Sequence, residues 1–249
     1  MENPMVNDCA TRPFERVLLD VKVFGCAHPA IAFCLDDASR AIAGIGVNFN
    51  PVVAVTECLA DAQAENGWSP ATGRPQYIVA DPALLRNVPS PASANLDGGV
   101  PYHLKKASTA LASRLFDHLT SSDDIIEEPT KALTCRTIQW AVRENKTPNR
   151  VSLLSAEENW KACAARYPNR LDFGAQSTNG PSVVRTEILE GGLIEIGCSI
   201  YSADKLAEMD SNNGSTVLVC LFPDSDVWVV ADPHPFPARR VPDLPASCA

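Results

Sequence analysis

No apolar stretch in this chain approaches the ~20 residues that a membrane-crossing helix needs, so the sequence predicts no span. A basic excess is missing too: Lys and Arg number 21 against 30 Asp and Glu, for a formal net charge of −9. No Lys/Arg stripe offsets that balance. It argues against a general binder of nucleic acid or of anionic membrane, because phosphate contacts need clustered cations. Met1–Phe14 carries Glu2 and Asp8 and lacks the basic-then-apolar layout of a secretory signal. There is no Cys-x-x-Cys and no Gly-x-Ser-x-Gly elbow. Gly44-Ile45-Gly46 lacks the third glycine of a dinucleotide fingerprint and stands too far ahead of its helix.

What is present is a 249-residue chain that is 45% hydrophobic, long enough to bury a sizeable core in one large or two small domains. Its nine cysteines, an odd count, lie mostly in apolar runs such as Ile31–Leu35 and Val217–Phe222. Unpaired, buried thiols in a reducing cytoplasm are the expectation. The sharper alternative, Cys26, His28 and Cys34 as metal ligands, matches no familiar zinc spacing.

Val17–Phe24, Ala30–Leu35 and Arg40–Val47 read as strands, the last two joined by the short polar turn Asp36-Asp37-Ala38-Ser39. Asn50 and Pro51 then supply a cap and a first helical residue for a helix running to about Asn66 and ended by Gly67. Val52, Val55, Leu59 and Ala62 form its apolar stripe. Residues 67–101 are rich in proline and glycine, with one short strand at Gln76–Ala80, and are the candidate boundary within a single domain spanning 1–249. Helices are predicted over Leu104–Leu119 and Thr130–Arg143, and a strand over Val151–Leu154. Ser155 and Glu158 form a capping box that opens a helix closed by Pro168. Val183–Leu189 and Leu193–Ser199 flank a Glu190-Gly191-Gly192 turn. Ser202 caps a short helix, and Thr216–Phe222 with Val227–Val230 make the last strand pair before an extended, proline-rich tail from Asp232. The predicted class is α+β, a mixed and largely antiparallel sheet with packed helices.

Glu57, Asp61 and Glu65 recur at i, i+4 and i+8, so the predicted helix carries three carboxylates on one face. Like charges at that spacing cost about 0.2–0.5 kcal/mol per pair. A solvated face or a bound cation such as Mg²⁺ would each accommodate them. Relief of that repulsion predicts that Asp61→Ala leaves the free protein no less stable.

The ordered segments His28–Asp37, Ala43-Gly44-Ile45-Gly46, Asn50–Ala54 and Glu57–Ala62 resemble the second half of the YcaO family. There a strand and a glycine-containing turn lead into a helix bearing an acidic residue. Pro233-His234-Pro235-Phe236-Pro237 is similar to the proline-rich terminus of the azoline-forming members, followed here by Ala238–Ala249. The resemblance implies a YcaO-like fold and ATP- and Mg²⁺-dependent modification of peptide backbone amides: azoline (cyclodehydratase), thioamide or amidine formation in natural-product peptides. It implies nucleotide and metal contacts at Glu57, Asp61, Gln63 and Glu65, with Glu57 and Asp61 on the metal. It places Pro233, His234, Pro235, Phe236 and Pro237 at the catalytic site. Asp61 stands at the family's glutamate, Glu57 where an arginine is usual, and Gln63 one position early. The family's amino-terminal lysine-glycine turn and serine-glutamate helix have no counterpart. That implies a diverged member, or one half of an enzyme whose partner supplies the rest. A peptide substrate, no nucleic acid and no membrane complete this expectation. Two alternatives stay open: a non-catalytic binding or scaffold protein that kept the fold, and an unrelated α+β enzyme.

Overall fold

The structure is a computed structural model that describes residues 12–23, 28–80, 102–104, 114–115, 118–119, 130–149, 152–167, 181–209, 215–231 and 234–242. Three strands open it: β1 (Arg16–Lys22), β2 (Ala30–Asp36) and β3 (Ile42–Asn48). All three pair antiparallel in sequence, with Leu19 opposite Cys34 and Phe33 opposite Ile45. The turn between β2 and β3 is pinned by acidic side chains. Asp36 accepts from the Phe14 amide at 2.8 Å and from both the amide and the hydroxyl of Ser39. Asp37 takes the guanidinium groups of Arg16 and Arg40.

Helix α1 (Pro51–Gln63) begins as the sequence predicts. Asn50 accepts from the Val52 amide at 3.0 Å, and Pro51 fills the first turn. It stops earlier than predicted, with Ala64 as its cap. Asn66 is spent instead on capping and on binding Asp61. Within the predicted stripe Val55, Leu59 and Ala62 are buried and Val52 is only half-buried; Ala54 and Cys58 join the core. The helix lies unusually close to the sheet. A Cβ on Gly44 would stand 2.2 Å from the Cys58 carbonyl oxygen, and one on Gly46 1.9 Å from that of Ala54. Small residues facing α1 (Ala30, Ala32, Cys34, Ala43) make this approach feasible.

β4 (Tyr77–Ala80) runs parallel to β1, and β5 (Tyr102–Leu104) parallel to β4, giving the order β3-β2-β1-β4-β5. The described part of the proline- and glycine-rich stretch contributes β4 to the sheet, and β5 follows just beyond the stretch. Leu104 ends a strand rather than starting a helix; Arg114, Leu115, His118 and Leu119 are helical, and the rest of that predicted helix lies outside the described residues. Helix α2 (Thr130–Lys146) covers the second face of the sheet, where Phe33 meets Trp140 edge-on at 6.0 Å. Helix α3 (Ala156–Arg166) carries the predicted capping box, with Ser155 and Glu158 bonded reciprocally. Of the predicted strand Val151–Leu154, Val151 lies outside the described residues. Ser152–Leu154 is turn and loop, and Leu153 adopts a φ of 60°.

A closed barrel follows, of order β10-β11-β8-β7-β6-β9. It comprises β6 (Ser182–Leu189), β7 (Leu193–Ile196), β8 (Ser199–Ser202), β9 (Thr216–Leu221), β10 (Val227–Val230) and β11 (Phe236–Arg240). The predicted Leu193–Ser199 strand is split at Gly197, whose φ of 58° turns the chain into β8. A short helix α4 (Asp204–Met209) follows β8. Within the predicted extended tail, Phe236–Arg240 is a ring-closing strand that pairs with β10 and β8. Barrel closure removes the open edges a free hairpin pair would present. The mixed α+β class is as the sequence predicts, and the barrel is an addition to it. Among the described residues no helix is long and apolar enough to cross a membrane.

Candidate functional site

The three predicted carboxylates of α1 do not share an environment. Glu57 is half-buried and accepts from the Asn48 side-chain amide at 3.2 Å. Burial pushes its carboxyl up, partly offset by that hydrogen bond. Glu65 lies past the helix end and is exposed. Asp61 is buried, at 4% exposure. One oxygen accepts from the Ile45 amide of β3 at 2.9 Å and the other from the Asn66 side chain at 3.1 Å. Burial raises its pKa to about 7, against the opposing pull of those hydrogen bonds. Gln63 donates back to the Leu59 carbonyl at 3.0 Å.

Asp61 is thus a structural carboxylate that ties α1 to β3 and to the chain after the helix. Each of its oxygens accepts one hydrogen bond from the protein, from Ile45 on one side and Asn66 on the other. Asp61→Ala would orphan the Ile45 amide, so the expectation of an unchanged free protein gives way to one of destabilisation. Among the described residues no group of three or more His, Cys, Asp and Glu is placed to hold a metal ion. Cys34 is buried in β2 beside Cys58, whose thiol burial pushes up, while His28 is half-exposed; Cys26 lies outside the described residues.

The proline-rich candidate stands elsewhere. Pro233 lies outside the described residues, His234 is exposed and Pro235 buried. Phe236 and Pro237 are the first residues of β11, opposite Val229 and Trp228 of β10. Pro237 precedes the part of β11 that pairs with β8, so its missing N–H interrupts no ladder there. Phe236 belongs to the barrel core, under Lys205 at 5.6 Å. The carboxylate helix packs in the sheet core, so the two candidate segments contribute to different cores.

Two features were not singled out from the sequence. β1 puts Asp20, half-buried, on the face opposite α1, one residue past the Leu19–Ala80 pair that joins β1 to β4. A carboxylate inside an apolar strand is a visible signal, but its neighbour strand is not. A surface cavity of about 470 Å³ opens between the β2–β3 turn, the end of α2 and the start of α3. Its lining comes from stretches over a hundred residues apart, and no local pattern announces it.

No family model matches the chain, and no curated protein matches it. Among solved structures, one chain of a cryo-EM structure of the simian T-cell lymphotropic virus intasome in complex with PP2A regulatory subunit B56 gamma is similar over 93% of this chain and 83% of that one. The identity is 12% and the TM-score 0.40, a likeness too weak to say anything about function.

Proposed function

We propose that the sheet layer is a divalent-cation-dependent phosphoester-processing module in which Asp20 is the first metal-facing carboxylate. The register of β1 and β4 carries this reading. β1 is the middle strand, antiparallel to β2 and parallel to β4, so the sheet changes character there. In open α/β sheets, ligands collect beyond the carboxyl ends of strands at such a switch point. Leu19 pairs with Ala80, and the next residue of β1 is Asp20. The residue after Ala80 in the sequence is Asp81, which lies outside the described residues. Asp20, a carboxylate near the end of β1, is a hard oxygen donor of the kind that suits Mg²⁺ or Mn²⁺. Such an ion, when bound, polarises a phosphoryl oxygen and lowers the pKa of an attacking water.

Mn²⁺ titration followed by thermal unfolding tests it, together with hydrolysis of bis(p-nitrophenyl) phosphate and of a labelled DNA duplex. The expected result is Mn²⁺-dependent stabilisation and turnover that Asp20→Asn removes; the two substrates separate small diesters from polymers. A wild-type chain indifferent to Mn²⁺ and inert on both substrates overturns the reading.

The ATP- and Mg²⁺-dependent modification of peptide amides is the competing proposal, in a cytoplasmic setting and with a partner for the missing half. Glu57 supports it, being half-buried beside Asn48 ahead of the helix cap. It predicts stabilisation by Mg-ATP that Glu57→Gln removes and Asp20→Asn does not. The engagement of Asp61 favours the non-catalytic binding reading instead, which predicts no response to either Mn²⁺ or Mg-ATP.

A further inference from the structure

The cavity beside the β2–β3 turn lies at the end of the sheet where β1 begins, whereas Asp20 lies toward the other end of that strand. It belongs to neither reading above. Its volume of about 470 Å³ falls in the range of small-molecule pockets, roughly 300–1,000 Å³. Two guanidinium groups stand on it, Arg40 and Arg114, with Glu144 the single carboxylate of the lining. In a chain of net charge −9, that local sign is reversed.

The donors are held rather than loose. Arg40 has a φ of 66°, with its N–H donating a hydrogen bond to the Asp36 carbonyl at 2.8 Å and its guanidinium paired with Asp37 at 3.1 Å. Asp36 is in turn locked by Phe14 and Ser39. Arg114 bonds Glu144 at 2.9 Å while its side chain stays 57% exposed. A guanidinium carries five N–H donors, so each retains capacity for a ligand oxygen. Asn159 of α3 adds a half-buried side-chain amide.

The rim supplies an apolar element. Asn149 N–H donates to the Leu154 carbonyl at 2.9 Å, and Leu153 N–H to the Asn149 carbonyl at 2.8 Å, so these residues are tied together at the rim. Leu153 has a φ of 60° and 77% exposure, and Leu154, 44% exposed, lines the cavity. A bulky residue in the left-handed region costs on the order of 1–3 kcal/mol. Here the burial of its side chain does not repay that cost. Strain held in this way collects at ligand sites.

We propose that this cavity binds a small organic anion, its carboxylate or phosphate head held by Arg40, Arg114 and Asn159 and its apolar body laid against Leu154. Titration calorimetry with phenyl phosphate and with 3-phenylpropionate tests it, alongside inorganic phosphate and benzyl alcohol as head-only and body-only probes. Saturable binding of at least one of the two larger probes is expected, tighter than either fragment. Which of the two binds more tightly distinguishes a phosphate head from a carboxylate. Arg114→Gln and Arg40→Asn, the latter chosen because asparagine tolerates positive φ, should each weaken it tenfold or more. Arg185→Gln on the barrel should leave it unchanged. Unfolding curves confirm that each variant is folded, and Arg114→Gln, on an exposed helix position, stands alone if Arg40→Asn does not fold. Absence of saturable binding by both larger probes overturns the proposal. So does binding untouched by Arg114→Gln, or weakened equally by Arg185→Gln.

Discussion

The side-chain amide of Asn145 accepts from the Ile42 N–H at 2.8 Å and donates to the Ile42 carbonyl at 3.0 Å, so one residue of α2 closes the outer edge of β3 as a strand would. β3 is the last strand on its side of the sheet, and its edge groups need partners once α2 buries them. Ser69 also donates to the Ile42 carbonyl, at 2.8 Å. Asn145→Ala therefore orphans the Ile42 N–H while the carbonyl keeps one partner. A buried unsatisfied donor costs about 1–3 kcal/mol, and urea unfolding of the variant should show a loss of that size.

Asp61 makes the fold pH-sensitive in a definite direction. Its pKa rises from 3.8 to about 7 in the folded chain. Between those values the folded state holds a proton that the unfolded state has released, so stability falls as pH rises and levels off above the folded pKa. The span corresponds to a change on the order of 4 kcal/mol. Burial shifts Asp36 and Glu57 upward as well, which adds to the same trend. Asp61→Asn removes the titrating group. Relative to wild type, the variant should gain stability from pH 4 to about pH 7 and level off above that; a constant difference across pH 4 to 7 would refute the assignment.

The approach of α1 to β3 predicts a contrast between two glycines. An alanine at Gly46 would drive its Cβ to 1.9 Å from the Ala54 carbonyl oxygen, backbone against backbone, with no flexible atom to yield. Gly46→Ala should cost at least about 3 kcal/mol, at or above the upper end for overpacked cores. Gly191 has φ of 80° but open space around its Cβ direction, so Gly191→Ala should cost only about 1 kcal/mol of backbone strain. Denaturant midpoints for the pair measure both. Similar losses at the two positions would contradict the close packing.

Where local chemistry decides, the chain was readable. The acidic turn after β2, the Asn50-Pro51 helix start and the Ser155–Glu158 box all act within a few residues, and all are in place. Elements decided by distant partners were not. Phe236–Arg240 reads as a proline-bearing tail because its pairing with β10 and β8 is a tertiary fact. Asp61 reads as part of a charged stripe because helical spacing says nothing of the Ile45 amide waiting above it. Asn66 looks like a helix residue until its side chain is needed to satisfy Asp61, Trp68 and Ser69. The cavity beside the β2–β3 turn is lined by Arg40, Arg114 and Asn159, which come from a turn, the 114–119 segment and α3 and meet only in the folded chain.

Val183, at the start of the barrel, donates its amide to the Asn66 carbonyl at 3.0 Å, and its own carbonyl fills the space beside Gly67. With Cys220 and Val230 it shares one apolar cluster with Phe33, Ile45 and Trp140 of the sheet layer. The two halves are therefore welded through a common interior rather than strung on a tether. Cutting the chain between α3 and β6 would not release two self-sufficient modules: each would carry away an apolar scar that only the other can cover. The same shared interior predicts that water reaching the seam undoes both sides at once, so that the sheet and the barrel melt as one cooperative unit.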